Sequence, residues 1–105
     1  YFGGGTPSLF GPSRISRVIQ QVKNRCLLLP GAEITLEVNP ESASLEAMQA
    51  YAQAGINRVS IGIQTLDGDL LRLLGRDHSP DIALNAIEAT HQAGISNLSI
   101  DLMYD

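Results

Sequence analysis

Apolar residues run along this chain in two rhythms. Recurrence at every third or fourth position marks the buried stripe of a helix, and alternation with polar residues marks a strand. Ile15, Val18, Ile19 and Val22 make the first helical stripe, opened by Pro12, whose fixed φ suits a first turn. Ser44 is the expected N-cap of a helix carrying Leu45, Met48 and Tyr51, and Ser79-Pro80 opens another with Ile82, Ala83, Ala86 and Ile87. A short helix is predicted from Asp67 to Leu74, stopping at Gly75. The segment from Tyr51 to Ile63 is repeated from Thr90 to Leu102, with Gly55 recurring as Gly94 39 positions on. Each copy is an alanine-rich helix that ends on a glycine, which takes the left-handed C′ conformation freely, and passes at once into a strand. Glu33 to Val38 shows the same strand pattern after Pro30-Gly31.

Stacking the three strands separates their faces. One parity reads Ile34, Leu36, Val38; Val59, Ile61, Ile63; Leu98, Ile100, Leu102, and is predicted to lie under the helices. The other reads Thr35, Glu37, Asn39; Ser60, Gly62, Gln64; Ser99, Asp101, Met103. Helices alternating with strands imply parallel pairing. A parallel sheet covered on both faces should be apolar on both, and a packed barrel centre should be filled with branched side chains. The polar second face therefore predicts an α/β fold that is a fragment of a (β/α) barrel. It should have about four parallel strands, Tyr1-Phe2 ending the first, and an interior open to solvent or ligand.

Composition narrows the partners. The chain of 105 residues is 44% hydrophobic and 17% charged, ordinary for a globular domain. Its net charge of −4 repels a phosphate backbone, so no nucleic-acid partner is expected. No apolar run reaches the ~20 residues that span a bilayer, and no leader-like segment precedes the first glycine. A lone cysteine, Cys26, fits a reducing cytoplasm. Tyr1 and Asp105 are expected to be cuts through a larger domain rather than its ends.

Four features carry candidate chemistry. Gly3-Gly4-Gly5-Thr6-Pro7 follows a strand end, where glycines let the backbone approach a ligand; the alternative is a flexible turn. It is not a P-loop, because the Gly-Lys-Ser/Thr ending is absent. Glu37 and Asp101, at the same strand position in successive copies, could accept from ribose-like hydroxyls or hold an ammonium group; a structural ion pair with a barrel arginine competes. Gln64 offers both a donor and an acceptor above the gap left by Gly62. Arg76 has the planar fork for a carboxylate, or is a solvated cation at a helix end. Cys26 lacks partners with metal-ligand spacing. His78 and His91 match no nucleophile pattern, and Arg14, Arg17, Lys23 and Arg25 form a wet helix face.

Together with Glu37-Val38-Asn39-Pro40, Ser60-Ile61-Gly62-Ile63-Gln64, Leu74-Gly75-Arg76-Asp77-His78 and the run from Ser99 to Tyr104, the glycine motif resembles the radical S-adenosylmethionine proteins. Within them, the set is most similar to the branch containing oxygen-independent coproporphyrinogen III oxidase and the related haem chaperone. The resemblance implies a partial (β/α)₆ barrel with a [4Fe–4S] cluster and S-adenosylmethionine at its strand ends. By it, Gly4, Gly5 and Thr6 would line the methionine portion. Glu37, Gln64 and Asp101 would bond ribose hydroxyls and the amino group, and Arg76 would face the carboxylate. In that family the reduced cluster donates an electron to the sulfonium, breaking a C–S bond to release a deoxyadenosyl radical.

The family's Cys-x-x-x-Cys-x-x-Cys loop would lie ahead of the glycine motif, and Cys26 cannot replace it. Residues 1–105 are therefore expected to be an internal part of one barrel domain, truncated at both ends, binding no cluster and catalysing nothing alone. No catalytic or metal-ligating residue is assigned within them. The Leu-Gly-Arg-x-His run resembles the chaperone branch more, so the parent is expected to bind haem and deliver it to client proteins. The alternative is the oxidase, acting on a porphyrinogen. A different class, a sugar-phosphate or amino-acid enzyme on an ordinary barrel, would use the glycine run for phosphate.

Overall fold

A computed structural model describes residues 1–5, 7–76 and 78–103. A 3₁₀ turn at Pro7–Phe10 leads into α1 (Gly11–Arg25), followed by β1 (Thr35–Val38) and a second 3₁₀ turn at Pro40–Ser42. Then come α2 (Leu45–Ala54), β2 (Arg58–Gln64), α3 (Gly68–Leu73), α4 (Pro80–Gln92) and β3 (Asn97–Leu102). The helix signals at Ser44 and Ser79 act as the sequence reading expected, while Asp67, expected to begin α3, caps it instead. Ser44 Oγ accepts from Ala47 N, Ser79 Oγ from Ile82 N, and the Asp67 carboxylate from Asp69 N and Leu70 N. Gly55 closes α2 at φ 115°, a conformation that a side chain would strain.

The strands form one parallel sheet in the order β1-β2-β3. The expected fourth strand is reduced, among the described residues, to a single parallel bridge between Phe2 and Leu36. β1 is also shorter than the Glu33–Val38 reading. The Asn57 side chain ties down the segment before β1, accepting from Ile34 N and donating to Ala32 O, while the Ile34 carbonyl still accepts from Arg58 N.

The apolar parity seals the core as expected over β1 and β2. Leu36, Val38, Val59, Ile61 and Ile63 are buried against Ile15 and Ile19 of α1, Met48 and Tyr51 of α2, and Ala83 and Ala86 of α4. It does not do so over β3. Ile100 and Leu102 remain 43% and 52% exposed, because α4 covers β2 and no described element lies beyond β3. Val18, Val22 and Ile82 are likewise exposed, against the stripe reading. Val18 and Val22 flank an open gap with Phe2 and Ile34 at the β1 edge. Periodicity identifies a helix face but not whether a neighbour exists to bury all of it.

Tyr51 ties the layers together. Its buried hydroxyl donates to Ser8 O at 2.9 Å, joining α2 to the turn before α1, and burial pushes its phenol above the ordinary 10.0. The fold thus favours the neutral phenol, so this contribution is complete below pH 10 and is lost as pH rises through the elevated folded value. Tyr51→Phe is expected to cost about 1–3 kcal/mol in urea unfolding by stranding a buried carbonyl. It should also flatten the decline of stability above pH 10, and an unchanged alkaline slope would remove Tyr51 as its source.

Candidate functional site

Burial of one strand parity turns the other to the opposite face, and parallel pairing brings the C-terminal ends of the strands to one rim. There lies a cavity of about 230 Å³. Glu37, Gln64, Asp101 and Gly5 line it, together with Arg76 from the segment after α3. Five of the seven residues expected at a ligand site therefore share one cavity. Gly4 is not among its lining residues, and Thr6 lies outside the described residues.

Gly4 and Gly5 adopt φ 81° and 67° in succession, with open space where a Cβ would sit, so backbone conformation rather than crowding calls for glycine. At Gly3 the close neighbour is the exposed Tyr1 ring, which a side chain would displace. A Cβ there would stand 2.5 Å from the Tyr1 ring and 3.2 Å from Glu37 Cδ.

Among the described residues Glu37 forms no ion pair with an arginine. Its Oε1 accepts from the Tyr1 hydroxyl at 2.5 Å, while Arg58, the interior cation lower on β2, donates to Ser99 Oγ at 2.9 Å. Nor does Glu37 sit level with Asp101. The register aligns Glu37 with Ser60 and Gly62 with Asp101, so the two carboxylates stand at different heights. The repeat spacing holds between β2 and β3 but not between β1 and β2, whose offset is set by pairing rather than by the repeat. Asp101 is exposed and accepts from Ser60 Oγ at 3.2 Å.

Gln64 carries the one positive φ, 71°, found outside glycine among the described residues. It is the centre of a tight turn in which Thr65 N donates to Ile63 O at 2.9 Å, a γ-type geometry that costs on the order of 1–3 kcal/mol. The β2–β3 register slips by one residue between Gly62 and Gln64, a bulge that re-aims the strand end. As a result the Gln64 amide lies over Gly62, where a Cβ would come within 3.2 Å of Nε2. Arg76 is exposed and forms an ion pair with no described carboxylate.

Two residues escaped the sequence reading. Asn39 lines the cavity and begins the Pro40–Ser42 turn without using its side chain as a cap, which leaves its amide free for a ligand. Its place in the Glu37-Val38-Asn39-Pro40 run, on the polar parity, was the available signal. His78, which matches no nucleophile pattern and enters the sequence reading only as part of a motif, is 4% exposed and its Nε2 lies 2.9 Å from Ile63 O. Nothing in the spacing could disclose that, since its partner is a backbone carbonyl 15 residues away. No group of three or more His, Cys, Asp or Glu among the described residues could hold a metal, and Cys26 is exposed beyond α1.

The Glu37 carboxylate, mainly through its hydrogen bond, holds the Tyr1 phenol above its ordinary value. Replacing Glu37 by Gln removes the charged acceptor. Spectrophotometric titration should then show the Tyr1 transition falling back toward 10.0, and an unmoved transition would deny the contact.

A sequence model described as the radical SAM superfamily matches residues 1–104. The chain is 44% identical over 104 residues to a mitochondrial radical S-adenosyl methionine domain-containing protein 1 of Danio rerio, covering 99% of this chain and 23% of that protein. It is 38% identical to a haem chaperone of Haemophilus influenzae over 99% of this chain and 27% of that protein. Identity to the Escherichia coli haem chaperone is 36%, over 99% of this chain and 28% of that protein. Among solved structures, coproporphyrinogen III oxidase of Escherichia coli, described as a radical SAM enzyme, superposes with a TM-score of 0.87. That match has 28% identity and covers 97% of this chain and 24% of the oxidase. The chain therefore spans about a quarter of the length of the relatives it matches.

Proposed function

Given that the chain belongs to the radical SAM superfamily, we propose that it is the S-adenosylmethionine-binding part of a haem chaperone's barrel, residues 1–105 being internal to one domain. The observation that supports this most is the convergence of Gly5, Glu37, Gln64, Arg76 and Asp101 on one cavity at the strand ends. Its donor set suits a zwitterionic, ribose-bearing ligand. Glu37 and Asp101 accept from an ammonium group or ribose hydroxyls, the Gln64 amide both donates and accepts, and Arg76 matches a carboxylate. In this reading Gly4, Gly5 and Thr6 run beside the methionine portion. The cavity, about 230 Å³, is below the usual ~300–1,000 Å³ of ligand pockets, as suits one wall of a larger site.

The chain's own residues bind and orient. Bound S-adenosylmethionine would supply a C–S bond cleavable by one electron. A single exposed cysteine does not fit a [4Fe–4S] site, which takes several thiolates, so the cluster's ligands belong to the remainder of the parent. Haem and a haem-accepting client are the proposed partners. The sequence similarity to haem chaperones, 36–38% over 99% of this chain, and the Leu74-Gly75-Arg76-Asp77-His78 run support the chaperone branch. The oxidase is the second reading, supported by the 0.87 superposition. No helix among the described residues is long and apolar enough to cross a membrane. The unpaired Cys26 suits a reducing compartment, and we place the chain in the cytoplasm.

Two measurements on the reconstituted full-length parent test this reading. Arg76→Ala should weaken S-adenosylmethionine binding by about 1.5–3 kcal/mol in calorimetry, and unchanged affinity removes Arg76 from the site. The wild type should bind haem and leave coproporphyrinogen III intact; decarboxylation without haem binding awards the parent to the oxidase branch.

A further inference from the structure

The strained turn at Gln64 requires something to hold it. A non-glycine residue at φ 71° relaxes toward an ordinary strand conformation unless its surroundings fix it. Thr65 N reaches Ile63 O at 2.9 Å, and Met103 N reaches Gln64 O at 2.7 Å from the end of β3. Both bonds run along the backbone of the bulge. One side chain reaches the same point from elsewhere in the fold: the buried His78 ring, between α3 and α4, with Nε2 2.9 Å from Ile63 O. A carbonyl oxygen only accepts, so Nε2 carries the hydrogen. The other ring nitrogen, Nδ1, stands 3.7 Å from Glu41 Oε2, in the turn that follows Asn39.

We propose that His78 is the positioning residue of this rim. Its Nε2–H bond to the Ile63 carbonyl fixes the bulge that swings the Gln64 amide over Gly62. The Glu41 carboxylate, in the turn after β1, stands beside the other edge of the ring. His78 does not line the cavity; it acts through Gln64, which does. The functional consequence rests on reading the rim as the S-adenosylmethionine site, whereas the mechanical part does not.

The test compares two amides at position 78 in the reconstituted full-length parent. His78→Gln places its nitrogen where Nε2 stands, and His78→Asn keeps the same group but falls short of Ile63. Amide hydrogen exchange of Thr65 and Met103, read by mass spectrometry without added cofactor, should accelerate about tenfold or more in His78→Asn. It should stay within about threefold of wild type in His78→Gln. S-adenosylmethionine affinity should follow the same order, about tenfold weaker for Asn and within about threefold for Gln. Equal impairment of both variants, equal preservation of both, or failure of both to fold overturns the proposal, because the reach of the donor would then be irrelevant. A wild type that binds no S-adenosylmethionine sinks the cofactor reading instead, while the exchange comparison still decides the role of His78.

Discussion

The burial of one side of β2 is the constraint on which the remaining structure hangs. Val59, Ile61 and Ile63 are almost wholly excluded from water in the middle of the sheet, flanked by Leu36 and Val38 on β1 and capped by Met48, Tyr51, Ala83 and Ala86. Each large aliphatic side chain so buried contributes about 1.5–3 kcal/mol. A slip of one residue would send all three to the wrong face. That penalty pins the register, and the register then dictates that Ser60, Gly62 and Gln64 face the opposite way. The polar face is thus a by-product of the core, and only at Gln64, where the ladder slips, do the bulge and the contacts that hold it finish the aiming.

The rim itself works against local preference. Gly4 and Gly5 take left-handed conformations that other residues avoid, Gln64 takes one without being glycine, and the ladder between β2 and β3 slips beside it. Polar contacts hold these departures in place: Tyr1 on Glu37, Ser60 on Asp101, and His78 on the Ile63 carbonyl. Strain of this kind survives where the surrounding structure over-determines it, and it gathers at sites that meet a ligand.

The sequence by itself determined the alternation of helices and strands, their parallel pairing, the caps at Ser44 and Ser79, and which strand face is polar. Each of these follows from short-range chemistry: a cap reaches three residues, a strand face repeats every second residue, and a glycine turn is local. Alternation and strand direction also placed Glu37, Gln64 and Asp101 on one polar face toward the strand ends, whereas Arg76, on no strand, joined them only through the family resemblance. Only the tertiary structure decided the rest. The heights of Glu37 and Asp101 depend on the offset between β1 and β2, which no repeat encodes. The exposure of Val18, Ile100 and Leu102 depends on whether a neighbour packs on them. The importance of His78 depends on a backbone carbonyl that carries no side-chain signature at all. Contacts between segments distant in sequence are set by packing, and packing is a property of the folded whole.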